Sequence, residues 1–441
     1  MQIADLRSLS PSDLDRIMRR SAAAFDDVLP VVQRIMHGVQ RGGDRAVRRY
    51  NKKFGGSAGH ELRVTRAEIE AAYDKVDASV VAALQAAMRN IETFHRSEMT
   101  EEPPVHVCPG IEIRRLNRPI ERVGLYVPGG RAAYPSSVLM MAVPARLAGC
   151  SRRVMCCPPD NEGNLPAAVL VAADVAGVTD IFKAGGAQAI AAMAYGTESI
   201  PRVYKIFGPG NRYVTAAKVL AAASGLCAID MPAGPSEVLI IADESADARF
   251  VAADLICQAE HADDSACVMV TTSRPLAERV AQEIEHLTDG LPTRSRVATS
   301  LERYGILLIA DSLDDAIALS NDYAPEHLQL MVGDPQVVLQ KIVNAGSIFL
   351  GHYAPAAAGD YATGSNHVLP TGEYAKMYAP LSVDSFMRKV EAQTVTMEGL
   401  AAIRQTVGTL ATVEGLPAHR QAVEVRFQSR GGRVVAAAKR G

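Results

Sequence analysis

From about residue 120 the chain alternates short β-rich runs with Ala-rich helical stretches, and that rhythm restricts the fold more than any other feature. R-V-G-L-Y-V precedes a helical stretch over 134–149, R-V-M-C-C one over 165–176, D-I-F-K-A one over 186–196, and Y-K-I-F one over 211–224, closing with C-A-I-D. Strand–helix–strand order of this kind predicts a parallel sheet with helices on its faces. A second set follows the turn-rich D-M-P-A-G-P-S: V-L-I-I-A, a helix reaching His261, A-C-V-M-V-T-T, a helix over 275–288, G-I-L-L-I-A, a helix over 313–322, H-L-Q-L-M-V, another helix, and S-I-F-L-G. The expected class is therefore α/β, with two parallel-sheet domains in tandem.

The flanks follow other rules. In the first hundred residues Ser10-Pro11 supplies a helix cap and a first-turn proline, T-R-A-E at 65–68 reads as a capping box, and Leu84, Met88, Ile91 and Phe94 share one helical face. Residues 1–120 are expected as an N-terminal helical segment packing on the second α/β domain, 121–235 as the first α/β domain, 236–380 as the second, and 381–441 as a small helical tail. Between 353 and 380 the alternation gives way to Gly, Ala, Tyr and Pro, and a loop of that length in a compact protein is usually functional.

Composition bounds the partners. With 441 residues, 48% hydrophobic and 22% charged, the chain can bury two or three cores. A net charge of −3 and the absence of a basic block interleaved with aromatics give no electrostatic footprint for nucleic acid or a membrane surface. The charged start and the lack of a long apolar run predict a cytoplasmic protein acting on small molecules. Seven scattered cysteines without CxxC spacing predict reduced thiols, and Cys156-Cys157 reads as the end of a buried strand rather than a reactive pair.

Three constellations can carry chemistry. In D-Y-A-P-E-H-L, Pro325 should hold Ala324 in extended geometry and end the preceding helix, leaving Glu326 and His327 adjacent on a rigid segment; a solvated loop carboxylate beside a strand-end histidine is the bland alternative. Q-A-E-H puts Gln258 and His261 on one face of a helical turn; alone this is equally a capping histidine, but Asp360 and His419 would complete a set suited to Zn²⁺. Spacing leaves open whether the four meet. The turns at Gly129-Gly130, Gly185-Gly186 and Gly208-Pro209-Gly210 each follow a strand, where backbone amides can hold a phosphate, and Asp230 falls where a ribose-binding acid would. None is a full G-x-G-x-x-G, and a tight βα turn explains each as well.

Together these stretches resemble histidinol dehydrogenase. The resemblance rests on G-L-Y-V-P-G-G-R-A-A-Y-P-S-S-V-L-M, G-G-A-Q-A-I-A-A, K-I-F-G-P-G-N, D-M-P-A-G-P-S-E-V-L, L-I-C-Q-A-E-H, Y-A-P-E-H-L, G-S-I-F-L-G and G-D-Y-A-T-G-S-N-H-V-L-P-T, in order over about residues 25–428. It implies incomplete, modified Rossmann-like domains, which accounts for the missing glycine fingerprint. It also implies oxidation of L-histidinol to L-histidine, the last two steps of histidine biosynthesis, with two NAD⁺ and one Zn²⁺ per site, in a homodimer.

Carried over by residue, the resemblance makes Gln258, His261, Asp360 and His419 the zinc ligands and Glu326 and His327 the proton-transfer pair. Tyr126, Gln188 and Asn211 fall on NAD-contacting positions, Ser236 and Glu414 on substrate-contacting ones along with the ligands and the pair, and His367 is a further candidate. His327, as a neutral imidazole near its ordinary pKa, would take the hydroxyl proton, and Glu326 would activate the water that adds to the aldehyde. The tail's apolar Q-A-V-E-V-R-F needs a covering surface, so His419 and Glu414 are expected to serve the partner subunit. Two other readings remain: an enzyme oxidising another alcohol, such as a sulfonated propanediol, and a catalytically silent zinc-binding protein. Ser236, Glu414 and His419 fit the histidinol pattern against the first, while E-Y-A-K-M-Y-A-P departs from it; a complete set of site residues argues against the second.

Overall fold

The computed structural model describes residues 1–20, 27–55, 57, 61–129, 133–232 and 234–428, so Gly130 and the terminus from 430 lie outside the described residues. The chain opens with β1 (Gln2–Asp5), α1 (Pro11–Arg19), α2 (Leu29–Lys53), α3 (Arg66–Tyr73) and α4 (Ala78–Arg96), followed by β2 (Val105–Cys108) and β3 (Ile111–Pro119). The first alternating set is β4 (Arg122–Tyr126), α5 (Pro135–Leu147), β5 (Arg152–Cys157), α6 (Ala167–Ala176), β6 (Asp180–Lys183), α7 (Gly186–Tyr195), β7 (Lys205–Phe207), α8 (Arg212–Ala223) and β8 (Ala228–Ile229). The second is β9 (Glu237–Ala242), α9 (Ala248–Ala259), β10 (Ala266–Thr271), α10 (Arg274–Thr288), α11 (Arg294–Tyr304), β11 (Gly305–Ile309), α12 (Leu313–Tyr323), β12 (His327–Met331), α13 (Pro335–Leu339) and β13 (Ser347–Leu350). After α14 (Ala356–Tyr361) come β14 (Met387–Val395), α15 (Met397–Val413) and α16 (Pro417–Glu424).

Chain contacts divide these elements into two units, one of Met1–Met99 with Pro119–Phe386 and one of Thr100–Arg118 with the chain from Met387 onward. The larger unit holds two parallel sheets, in the orders β6-β5-β4-β7-β8 and β1-β11-β10-β9-β12-β13. The α/β class read from the alternation is borne out. Strands such as β9 and β10 are buried along their whole length, as expected where helices cover both faces. In each sheet the order reverses beside the first strand of its set, between β4 and β7 and between β9 and β12, and such switch points open a crevice at the strand ends.

The N-terminal segment follows expectation only in its first part. β1 extends the second sheet by pairing with β11, and Leu6, Leu9, Ile17 and Met18 pack on that sheet's core, whereas α2 packs on α7 and α8, α3 on α6, and α4 on α5 and α6. The reason is the α2 stripe of Val32, Ile35, Met36, Val39 and Val47, which joins Ile190, Met193 and Ile206 of the first half in one core. The cap at Ser10 and the capping box at Thr65 and Glu68 form as read.

The smaller unit is not simply helical. β2 and β3 pair antiparallel, β14 joins β3 to make a three-stranded sheet, and α15 and α16 pack on each other. Strands drawn from residues 105–119 and 387–395 must meet for this sheet to exist, and no local pattern announces that.

Candidate active site

Glu326 and His327 stand at the amino end of β12, beside Glu237 at the amino end of β9, with His327 level with Val238. The expected extended Ala324 is instead left-handed, at φ 49° and ψ 65°, and its N–H closes α12 on the Ser320 carbonyl. Pro325 disfavours the right-handed helical region for the residue before it, and the left-handed cap satisfies that restriction while turning the chain sharply into the strand. Behind the pair, the Gly346 and Ser347 amides donate to the Pro325 and Glu326 carbonyls, both at 2.8 Å. A Cβ on Gly346 would come within 2.6 Å of the Glu326 carbonyl oxygen, so this approach requires glycine.

Both side chains are buried. Glu326 Oε2 accepts from the Glu237 amide at 2.8 Å and lies 3.5 Å from His327 Nδ1. His327 Nδ1 is 3.1 Å from the Glu237 carbonyl, the geometry of a ring N–H donating to the backbone, and Nε2 lies 3.7 Å from Asp360 Oδ1. Such a hydrogen bond at Nδ1 makes Nε2 the basic nitrogen of the neutral ring.

The electrostatics correct one expectation. Burial lowers the His327 pKa, but the Glu326 and Asp360 carboxylates outweigh it, so the ring sits well above its ordinary value rather than near it. Burial pushes the Asp360 carboxyl up, yet bonding to His327 and the charges of His327, His367 and His261 more than offset this and hold it low. His367 is held below its ordinary value by burial; Nδ1 lies 2.9 Å from the Asp360 carbonyl and Nε2 3.1 Å from Ser137 Oγ in the first turn of α5.

Of the expected metal ligands, Gln258 lies on the last turn of α9 with its Nε2 buried and unpartnered among the described residues, and His261 follows the helix, with Nδ1 3.1 Å from the Cys257 carbonyl. Because α9 runs against the parallel strands, its end returns to the same sheet edge as Glu326, His327 and Asp360. An amide, an imidazole and an ionised carboxylate suit a borderline divalent cation. No group of three or more His, Cys, Asp or Glu able to hold a metal occurs among the described residues, and of those types the expected set has only His261 and Asp360 in this unit. His419, on α16, and Glu414, closing α15, belong to the smaller unit, and both side chains are exposed. Ser236 is half-buried and immediately precedes Glu237.

The expected nucleotide residues lie at the carboxyl edge of the first sheet, next to its switch point. Tyr126 ends β4 and its hydroxyl accepts from the Gly186 amide at 3.0 Å. Gln188, in the first turn of α7, is buried; Nε2 donates to Asn51 Oδ1 at 3.2 Å while Oε1 has no partner among the described residues. Asn211 caps α8 by accepting from the Tyr213 and Val214 amides. Asp230 does not stand free as a ribose-binding acid: it is buried against Lys218 at 2.5 Å and accepts from the Gly208 amide at 2.8 Å. Cys156 and Cys157 are fully buried, and burial pushes the Cys157 thiol up to about 12, which fits inert strand residues.

The sequence reading passed over Glu237, Arg20, Ser137 and Lys218. A charged residue opening the otherwise apolar run E-V-L-I-I-A was the available signal for Glu237, whereas nothing local marks the others.

The histidinol dehydrogenase family model matches residues 18–427. The chain belongs to the histidinol dehydrogenase family. It is 48% identical to the histidinol dehydrogenase of Bacteroides fragilis over 417 residues, covering 95% of this chain and 97% of that one. It is also 48% identical to that of Methanothermobacter thermautotrophicus over 415 residues, covering 94% and 97%. The crystal structure of histidinol dehydrogenase from Elizabethkingia anophelis superposes with a TM-score of 0.92 at 42% identity, covering 97% of this chain and 98% of that one. Membership makes this chain an enzyme of an oxidoreductase family tied to histidine biosynthesis, and among the described residues no helix is long and apolar enough to cross a membrane.

Proposed function

We propose that this enzyme oxidises L-histidinol through L-histidinal to L-histidine in the cytoplasm, reducing two NAD⁺ and using one Zn²⁺ per site. The observation that supports it most is the buried pair Glu326–His327, anchored on Glu237 and facing Asp360, at the sheet edge where α9 delivers Gln258 and His261. In the first oxidation His327 Nε2 takes the hydroxyl proton as the carbinol hydride leaves for a nicotinamide, giving the aldehyde. Glu326 then removes a proton from water as its oxygen bonds to the aldehyde carbon, and His327 returns its proton to the aldehyde oxygen, giving the hydrate. The hydrate loses a second hydride to a second nicotinamide and a proton to the pair, giving the carboxylic acid.

Gln258, His261 and Asp360, with His419, would hold zinc, which when bound anchors and orients substrate and offsets the Asp360 charge that raises His327. Tyr126, Gln188 and Asn211 would bind NAD; the Gln188 acceptor in the first turn of α7, without a partner among the described residues, supports that reading. His367, braced between Asp360 and Ser137, would hold the loop that carries Asp360. Ser236 and Glu414 would contact substrate. The exposed His419 and Glu414, together with exposed Met397, Leu410, Val413 and Leu416, support a homodimer in which each site takes these two residues from the partner subunit.

The test is stoichiometric. Purified protein given L-histidinol and NAD⁺ should form two NADH for each histidinol, yield histidine and lose activity on chelation. One NADH with aldehyde accumulating, or none, overturns the proposal.

A further inference from the structure

Glu237 is buried at 2% exposure and belongs to neither expected ligand set. Its amide donates to Glu326 Oε2 at 2.8 Å, and the Glu326 amide donates back to Glu237 Oε1 at 3.1 Å. Each glutamate thus accepts the backbone N–H of the other across two adjacent strands. Glu237 Oε1 also accepts from the Gly372 amide at 3.1 Å, in the 353–380 segment that carries Asp360 and His367. Its backbone carbonyl is the acceptor facing His327 Nδ1.

The remaining oxygen has a charged partner. Arg20 Nε lies 2.8 Å from Glu237 Oε2, with the two side chains 4% and 2% exposed. The guanidinium stacks 3.5 Å over the Tyr323 ring, in the last turn of α12 before the Glu326 segment. Burial and the neighbouring Glu326 charge push the Glu237 carboxyl up to about 7 against the pull of Arg20.

Burying two carboxylates side by side with one guanidinium is a costly way to close a fold, because each ion loses hydration that one pairing only partly restores. The same contacts are well placed to hold geometry: the reciprocal amide bonds fix the rotation of the Glu326 carboxylate and commit its Oε2 to the backbone, and the carbonyl fixes the His327 ring.

We propose that Glu237, neutralised by Arg20, is the positioning residue of the Glu326–His327 pair, tying its carboxylate and ring to the loop that carries Asp360. This rests on the proposed histidinol oxidation. Glu237 does not reach the substrate; it acts by placing groups that do. A displacement of about 1 Å at reacting atoms can cost on the order of 100-fold in rate.

The experiment compares wild type, Glu237→Ala and Glu237→Gln as zinc-loaded dimers, measuring kcat and KM for L-histidinol, L-histidinal and NAD⁺, with bound zinc and circular dichroism. Gln keeps an acceptor for the Glu326 and Gly372 amides; Ala keeps nothing. Expected is a kcat about 100-fold lower in Glu237→Ala for both substrates, recovering to within about 10-fold of wild type in Glu237→Gln, with KM for NAD⁺ and zinc content unchanged. If the Ala variant does not fold, Gln decides alone: a kcat reduced about 3- to 10-fold at unchanged zinc and KM for NAD⁺ supports positioning. The inference is overturned by a wild-type kcat in the folded Ala variant, by a wild-type kcat in Gln when Ala does not fold, or by losses that follow zinc or folded fraction. Wild type yielding two NADH while a variant gives one of these results refutes the role of Glu237 alone. Wild type yielding none overturns the histidinol reading and this inference with it.

Discussion

Replacing Lys218 by Met keeps the side-chain length but removes the cation paired with the Asp230 carboxylate, and the structure sets what this should cost. The two side chains are each 1% exposed and 2.5 Å apart; Lys218 Nζ also donates to the Gly208 carbonyl at 2.9 Å, and Asp230 accepts from the Gly208 and Met231 amides at 2.8 and 2.7 Å. Gly208 is therefore held at both its amide and its carbonyl, at φ +121° and with 2.1 Å between a hypothetical Cβ and the Tyr126 carbonyl oxygen. Removing one partner of a buried pair costs about 3–5 kcal/mol because the other charge stays buried. The two amides that still reach Asp230 point to the lower end, about 3 kcal/mol for Lys218→Met, with a similar loss for Asp230→Asn. The double variant buries no charge and should lose only about 2 kcal/mol, leaving a coupling of roughly 4 kcal/mol. Equilibrium urea unfolding of the four proteins measures this cycle. Since Gly208 lies beside the switch point of the first sheet, KM for NAD⁺ should rise in Lys218→Met while kcat at saturation is largely kept. Losses that simply add in the double variant would refute the reasoning.

Burial raises the Asp254 carboxyl from its usual 3.8 to about 6, partly opposed by the Gln329 amide at 2.9 Å. Between those values the folded chain holds a proton that the unfolded chain has lost, so stability falls as pH rises from about 4 to about 6, by up to about 3 kcal/mol. Asp254→Asn should therefore raise the melting temperature at pH 7.5, with a gain that disappears below pH about 4; a gain independent of pH would contradict this assignment. Coexpressing His327→Ala with His419→Ala, each inactive alone, should restore about one quarter of wild-type activity if His419 serves the partner subunit; confirmed mixed dimers with no recovery would exclude the shared site.

The two groups of candidate residues lie at sheet edges of opposite polarity. Tyr126, Gln188 and Asn211 occupy the carboxyl edge of the first sheet, the usual place for a nucleotide, whereas Glu326 and His327 occupy the amino edge of the second. The His367–Ser137 contact joins the Asp360 loop to α5, the helix that follows the first strand of the first sheet.

What the sequence determined by itself was whatever depends on neighbours a few residues away. Alternating β-rich and Ala-rich runs specified both parallel sheets, Ser10 and the Thr65–Glu68 box specified their helix starts, and eight ordered motifs pointed to the family. Tertiary structure decided what depends on residues remote in sequence. The exchange between Glu237 and Glu326 spans 89 positions, and the sheet of β2, β3 and β14 joins segments hundreds of residues apart. Asp230 looked like a ribose ligand by spacing, yet its partner is Lys218 on the facing helix. Ala324 looked extended from its proline, yet the helix end it closes selects the left-handed turn. Periodicity and capping are local energies and so can be read along the chain; the pairing of buried charges and strand edges is set by which surfaces the completed topology brings together.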